Sequence, residues 1–245
     1  MKIFKYSVIA LCIVFAIGFV IIAAMIIKQN MVDIMTDDNV NSLAYTVKYR
    51  NPVKAAKEFT VIRQKRSCGY ACIEMLSEYL DSELITEESL YEANGKKITA
   101  STTGGFFSEL TKQFPGYKIT QYKNLKNSEL IDKIYESLKN GMPVICAYAA
   151  VDKQDENANA NIWTVHSGIV VGMDLREDEI TVVNPYGYTE IYTLNDFLKA
   201  TRFESYENMG FSLNLGFAAE IYTKNTVYII EDKTEETAEK ETTGE

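Results

Sequence analysis

The chain has few of the residues on which stapled scaffolds and metal centres are usually built. Its 245 residues include only four cysteines, Cys12, Cys68, Cys72 and Cys146, and a single histidine, His166. Cys12 lies in an apolar run, and Cys68 and Cys72 are four residues apart on a predicted helix, where disulfide geometry is hard to satisfy. A disulfide-stapled scaffold is therefore disfavoured, and any chemistry that needs an imidazole must use His166.

The chain also lacks a basic surface. It carries 25 Lys and Arg against 34 Asp and Glu, a net charge of −9, without a clustered stripe of positive residues. Phosphate binding needs such a cluster, so we expect no nucleic-acid partner. Residues 231–245 are acidic and almost without apolar residues, which predicts a disordered tail. The hydrophobic content of 47% suffices for one globular core.

A long apolar run stands near the N-terminus. Residues 6–27 are 22 consecutive uncharged residues, about 33 Å as a helix, which matches a hydrocarbon core of about 30 Å. A cleaved signal peptide is the alternative, although its apolar region is usually only about 7 to 15 residues. Because Lys2 and Lys5 precede the run and acidic residues follow it, the N-terminus is expected in the cytoplasm. The sequence thus predicts a single-pass cell-membrane anchor over 1–28, a stalk over 29–55 and an extracytoplasmic domain.

The domain predicted over residues 56–230 contains helices first and strands afterwards. Apolar residues after Ser67 recur at helical spacing, and strict alternation over 164–173 predicts a strand with His166 and Met173 on opposite faces. Helices are predicted after residue 67 and around 86–94, 104–113 and 127–139, and strands over 143–149, 164–173, 180–183 and near 186–192, 211–222 and 226–230. This order is typical of an α+β domain, in which helices pack on an antiparallel sheet.

Cys68 opens a predicted helix, and this position favours a reactive thiolate. Ser67 is suited to cap the helix, so that first-turn amides point toward the sulfur, and three basic residues stand just upstream, at 63, 65 and 66. The structural alternative is that Cys68 is simply a small core residue, as we expect for Cys72 and Cys146.

His166 is the one available base for such a thiol. Two glycines, Gly168 and Gly172, lie on its side of the predicted strand and allow close approach. A hairpin that turns near residue 175 brings Asn184 roughly opposite His166, where its amide is suited to orient the imidazole.

Four segments resemble the motifs of C39-like cysteine peptidases. Residues 63–76 contain Gln64 and the Cys68-Gly69 pair that opens a helix, and residues 140–145 resemble the Gly-x-Pro-Val-Ile strand entry of that family. Residues 166–172 resemble its His motif, and residues 183–187 its Asp/Asn-Pro motif. The four segments follow one another in the family's order and span most of the predicted domain.

This resemblance implies a papain-like cysteine peptidase fold and thiol-dependent hydrolysis of peptide bonds. It implies that Cys68 is the nucleophile, that His166 transfers the proton and that Asn184 orients His166, with Asn in place of the commoner Asp. Gln64, with the Cys68 backbone amide, is implied to stabilise the oxyanion. Gln64 stands four residues before Cys68, closer than is usual in the family. A peptide or protein substrate is implied, and no cofactor or metal.

Three other functions use the same residues. A catalytically inactive papain-like module would bind peptides without cleaving them, and an amidase or acyltransferase would use the same three residues on another acyl group. A structural zinc site built from Cys68, Cys72, Cys146 and His166 has suitable ligand types, but Cys68 and Cys72 share a packing helix instead of a turn.

Overall fold

In the computed structural model, which describes residues 2–36, 38, 47–154, 164–204 and 211–233, a run of three helices precedes a run of four strands. The strands are β1 (Val53–Lys54), β2 (Tyr117–Tyr122), β3 (Val144–Ala150), β4 (Thr164–Asp174), β5 (Glu179–Asn184), β6 (Tyr188–Tyr192) and β7 (Thr226–Asp232). The helices are α1 (Lys2–Thr36), α2 (Cys68–Tyr79), α3 (Glu87–Ala93), α4 (Thr103–Gln113), α5 (Asn127–Lys139), α6 (Leu194–Thr201) and α7 (Phe211–Ala218).

The strands form one antiparallel sheet with the order β2-β7-β3-β4-β5-β6. The short β1 pairs with the end of β4, through Val53 opposite Met173. β3 and β4 lie at the centre, and His166 pairs there with Tyr148. The prediction of an α+β domain with an antiparallel sheet is confirmed.

Helices cover both faces of this sheet. On one face, α2, α3 and α4 pack against alternate strand residues such as Ile145, Ile169 and Tyr228. On the other face, α5 and α6 pack against the intervening residues, such as Val144 and Val170. Because successive strand residues point to opposite faces, a central strand such as β3 is buried along its whole length. This explains why its sequence is a continuous apolar run.

α2 begins where the sequence predicts. Ser67 has extended backbone angles, and its hydroxyl accepts a hydrogen bond from the Tyr70 amide at 3.2 Å, as an N-cap does. The helix then buries Ile73, Leu76 and most of its other side chains against the sheet. α2 is therefore held rigidly at both its cap and its packing face, and Cys68 occupies its first turn.

Two expectations about the strands were wrong. Residues 211–222 were predicted as a strand, but α7 occupies their first part, where Phe217 packs on Phe203 with ring centroids 4.8 Å apart. The spacing of the apolar residues there fits both a helix and a strand, and packing against the domain stabilises the helix. In β4, a bulge between Val170 and Gly172 shifts the alternation, so Met173 lies on the same face as Val170. β2 and α6 were not predicted.

The predicted domain boundaries stay predictions, although two observations bear on them. Tyr49 is buried against Tyr135, and β1 already belongs to the sheet, so residues assigned to the stalk contact the domain. At the other end β7 reaches Asp232, and residues 234–245 of the predicted tail lie outside the described residues.

α1 contains a stretch that is long and apolar enough to cross a membrane. The stretch is Leu11–Asp33, with a mean hydropathy of 2.8 and none of it buried against the rest of the protein. Its length and composition suit either a membrane span or a signal sequence.

Candidate active site

The Cys68 thiol lies half-buried at the first turn of α2 and borders the same cavity as His166, where the His166 ring and the backbone amides of Gly69 and Ser167 act on it. Burial acts to raise the pKa of this thiol, but the charge and hydrogen bond of His166 and the two backbone amides act in the opposite direction. The net effect is a pKa below the ordinary value of a cysteine. The site therefore favours the thiolate.

His166 is held on its other side by Asn184. Its Nε2 atom is 2.9 Å from Asn184 Oδ1, and the two residues are only 2% and 0% exposed. The register of β4 and β5 places Asn184 one residue pair beyond Val183 and Ile169, close to His166 along the sheet. Because an amide oxygen only accepts hydrogen bonds, Nε2 carries the proton and Nδ1 is the nitrogen left for Cys68.

Two tyrosine rings fix the plane of the imidazole. Tyr186 stacks on the His166 ring at a centroid distance of 4.2 Å, and Tyr148 meets the ring edge at 5.6 Å. Gly168 makes room for Tyr148, since a Cβ there would lie 2.8 Å from its ring. The close approach that the sequence predicts at Gly168 is therefore made by the Tyr148 ring.

Gly69 has a similar packing role. A Cβ at Gly69 would lie 2.6 Å from the Ala100 carbonyl oxygen, so the glycine allows the loop before α4 to pack against α2. This loop then forms one wall of the cavity that borders Cys68.

Gln64 lines the same cavity as Cys68. Its backbone amide donates to the Pro185 carbonyl at 2.6 Å, which ties the segment before α2 to the end of β5. Within the described part of the chain its side-chain Oε1 is buried without a hydrogen-bond partner. The short spacing to Cys68 thus still brings Gln64 to the cavity wall.

A cavity of about 270 Å³ opens beside Cys68 and His166. Aromatic and small side chains dominate its wall, and none of the described residues that line it is Asp, Glu, Lys or Arg. Apart from the catalytic candidates, its wall includes Ser101, Thr102, Phe106, Tyr222 and Tyr228. The cavity suits an uncharged ligand segment.

The two remaining cysteines of the domain lie in the core. Burial raises the pKa of Cys146 to about 12 and that of Cys72 well above its ordinary value. Both side chains are packed within the apolar clusters on either side of the sheet. Among the described residues, no group of three or more His, Cys, Asp or Glu is placed to hold a metal ion.

Sequence reasoning missed two buried carboxylates. Glu87 accepts hydrogen bonds from the backbone amides of Lys65, Arg66 and Ser67 at 2.8 to 3.0 Å, and so holds the segment that leads into Cys68. Glu190 contacts Asn184 and is 6% exposed, whereas the neighbouring Ile191 is 64% exposed. Polarity alone predicts that Ile191 is buried and Glu190 exposed, so the sequence contains no indication that Glu190 lies at the site.

A helix that opens on a cysteine, packed on an antiparallel sheet that carries a histidine and an asparagine, defines a papain-like α+β fold. A model of the Peptidase_C39 like family matches residues 39–214 of the chain. The chain therefore belongs to the Peptidase_C39 like family.

Among solved structures, one that is similar covers most of this chain. It is the crystal structure of a double glycine motif protease from an AMS/PCAT transporter in complex with the leader peptide. The two chains are 12% identical with a TM-score of 0.44, over 74% of this chain and 98% of that one. No curated protein matches the chain.

Proposed function

We propose that the protein is a cysteine peptidase in which Cys68 is the nucleophile, His166 the general acid and base, and Asn184 the residue that orients His166. The observation that carries the proposal is that the Cys68 thiol and the single imidazole of the chain line the same cavity, where the imidazole lowers the pKa of the thiol. A lowered thiol pKa at a helix start beside a histidine is typical of nucleophilic cysteines.

In this mechanism the Cys68 proton resides on His166 Nδ1, and the thiolate attacks the carbonyl carbon of a peptide. The carbon–nitrogen bond then breaks, the leaving amine takes the proton from His166, and an acyl-thioester remains on Cys68. A water molecule, deprotonated by His166, attacks the thioester, and the carboxylic acid and the free thiol are released. Asn184 keeps its bond to Nε2 throughout, so Nδ1 stays directed at the reacting atoms.

Gln64 and the backbone amide of Cys68 supply the proposed oxyanion site. The Gly69 amide in the first turn of α2 acts on the Cys68 thiol, and Gln64 borders the same cavity. One such donor is commonly worth about 100- to 1000-fold in rate. Gln64→Ala should lower kcat by about this factor, while Gln64→Glu tests whether the donor itself is needed.

The substrate proposed is a peptide or protein segment whose side chains near the scissile bond are uncharged. A buried charge in this cavity would find no partner among the described lining residues, and an unpaired buried charge is costly. Peptides with Asp, Glu, Lys or Arg beside the cleaved bond should therefore be poor substrates.

The test is cleavage of a peptide mixture by the full-length chain, followed by mass spectrometry of the products. We expect products from uncharged segments, their loss in Cys68→Ala and in His166→Ala, and their retention in the control Cys146→Ala. Peptide binding without cleavage would contradict the proposal and indicate an inactive binding module. Ammonia release from side-chain amides, or transfer of an acyl group, would instead indicate an amidase or acyltransferase.

We also propose that α1 anchors the protein in the cell membrane, with the N-terminus in the cytoplasm and the peptidase domain outside. The C-terminal part of α1 contacts the domain, since Lys28 pairs with Glu220 at 2.6 Å and Asp33 pairs with Lys224. Recovery of residues 1–28 in the membrane-bound chain, with the domain open to external protease, supports the anchor. Release of a shortened chain would indicate a cleaved signal peptide.

A further inference from the structure

The side chain of Glu190 lies directly behind the proposed catalytic residues and takes no part in the mechanism above. Asn184 Nδ2 donates to Glu190 Oε2 at 2.8 Å, so Glu190, Asn184 and His166 form one hydrogen-bonded series that ends at the cavity Cys68 also lines. Glu190 is 6% exposed and lies on β6, adjacent to the strand that carries Asn184.

The buried carboxylate is well supplied with donors. Tyr192 Oη lies 2.9 Å from Oε2, Tyr148 Oη lies 3.5 Å from it, and Lys153 Nζ lies 2.8 Å from Oε1. A buried ionised carboxylate needs such partners, because burial without them is costly. Glu190 is thus present as an acceptor only, with its position fixed from several sides.

This acceptor, together with the Tyr186 backbone amide, determines which way the Asn184 amide faces. In the observed orientation, Nδ2 meets the carboxylate, while Oδ1 accepts from the Tyr186 backbone amide at 2.9 Å and from His166 Nε2. Rotating the amide by 180° would set oxygen against the carboxylate and nitrogen against the Tyr186 N–H, two mismatches at once. The amide orientation in turn requires the proton on His166 Nε2.

We propose that Glu190 is a positioning residue that fixes the Asn184 amide and, through it, keeps the proton of neutral His166 on Nε2 and leaves Nδ1 for Cys68. Its role in catalysis rests on the proposed peptidase function, but its effect on the imidazole does not. The Glu190 carboxylate thereby fixes which end of the neutral Asn184 amide faces the histidine.

The single histidine makes the test direct. In full-length Cys68→Ala, labelled with ¹⁵N in the imidazole and purified through a tag without histidine, ring-nitrogen NMR at alkaline pH reports the neutral ring. We expect one species protonated at Nε2, whose proton exchanges slowly with water. Protonation at Nδ1 overturns the proposal without any substitution at Glu190.

Variants then isolate the carboxylate. Cys68→Ala/Glu190→Met removes the acceptor at similar length and should show a second tautomer or fast exchange of the Nε2 proton. Cys68→Ala/Glu190→Gln, which can still accept from Asn184, should restore the single slowly exchanging species. Tyr192→Phe in the same background leaves the Asn184 bond in place and should leave the tautomer unchanged. An unchanged Nε2–H signal in Glu190→Met overturns the proposal.

The active enzyme gives an independent measurement. With Cys68 present, Glu190→Met should lower kcat by about 10-fold with KM nearly unchanged, the lower end of the range known for residues that orient metal-binding histidines. Glu190→Gln should recover most of the loss. If the tautomer result holds but the wild-type chain cleaves no peptide, the proposed function fails and the positioning role of Glu190 stands.

Discussion

Cys68 and Cys72 are one turn apart on α2, and they lie in opposite chemical surroundings. Cys68 contacts an imidazole and two backbone amides, and the pKa of its thiol is lowered against the effect of burial. Cys72 lies within the apolar cluster between α2 and the sheet, where burial first, and then nearby Cys68 and Cys146, raise its pKa well above the ordinary value. Burial acts to raise the pKa of both thiols, but Cys68 is only half-buried at the cavity and has neighbouring donors, whereas Cys72 is fully buried.

The positions of the two cysteines along α2 explain this difference. The first turn of α2 has amide groups that no helical carbonyl accepts, and these favour a negative charge at Cys68. One turn later the amides bond within the helix, and the Cys72 side chain is packed in the apolar cluster between the helix and the sheet. The same residue type is thus suited to chemistry at one position and to core packing at the other.

The largest effect is expected when either partner of the Cys68–His166 contact is removed. Cys68→Ala and His166→Ala should each lower peptide cleavage on the order of 10⁴-fold or more, because the two act as a unit. The double variant should be no worse than either single one. Additive losses, measured as kcat/KM, would contradict a shared mechanism.

A smaller loss is expected at Asn184. Asn184→Ala leaves the imidazole without its Nε2 partner, and kcat should fall by about 100-fold, within the range attributed to a well-placed acid and base. Thermal unfolding of the same variant measures how much of the effect is structural. Full activity in Asn184→Ala would exclude an orienting role.

Gly168 offers a way to perturb the imidazole from behind. Gly168→Ala sets a Cβ 2.8 Å from the Tyr148 ring and 3.0 Å from Val182, so it should cost about 1 to 3 kcal/mol of unfolding free energy and lower kcat. Gly172→Ala is the matched control on β4, because its nearest neighbour, Thr181, would lie at an ordinary 3.4 Å. Equal costs in denaturant titration would contradict the role of Gly168 as space for Tyr148.

The smallest effect on activity is expected at Cys72. Cys72→Ala removes a buried sulfur from the core and should lower the free energy of unfolding by about 1 kcal/mol, while kcat stays within about twofold because the residue lies outside the cavity lining. Denaturant titration and a cleavage assay check the two parts. Loss of activity at unchanged stability would mean that the distinction between the two cysteines is wrong.

The sequence predicted the fold class, the start of α2 and the approach of Asn184 to His166, because these depend on local patterns, whereas the approach of Cys68 to His166 was implied only by the resemblance to C39-like peptidases. A capping serine starts α2, and a hairpin turn brings β5 beside β4. The carboxylates of Glu87 and Glu190 were not predictable. Glu87 is buried by a segment remote in sequence, and Glu190 is buried by the register of β6. The β4 bulge was missed for a similar reason, because alternation alone carries no mark of an extra residue.

The most direct test of the central claim is the pH dependence of alkylation of the Cys68 thiol. In the Cys12→Ala background, iodoacetamide should label Cys68 and leave Cys72 and Cys146 unlabelled, because thiolate is the reactive form and the pKa of both core thiols is raised. The rate at Cys68 should reach half of its maximum at a pH below the ordinary pKa of a cysteine thiol. In His166→Ala this midpoint should move upward, since burial is then opposed only by the backbone amides. A Cys68 midpoint at or above the ordinary value, or one unchanged by His166→Ala, would contradict the proposed nucleophile.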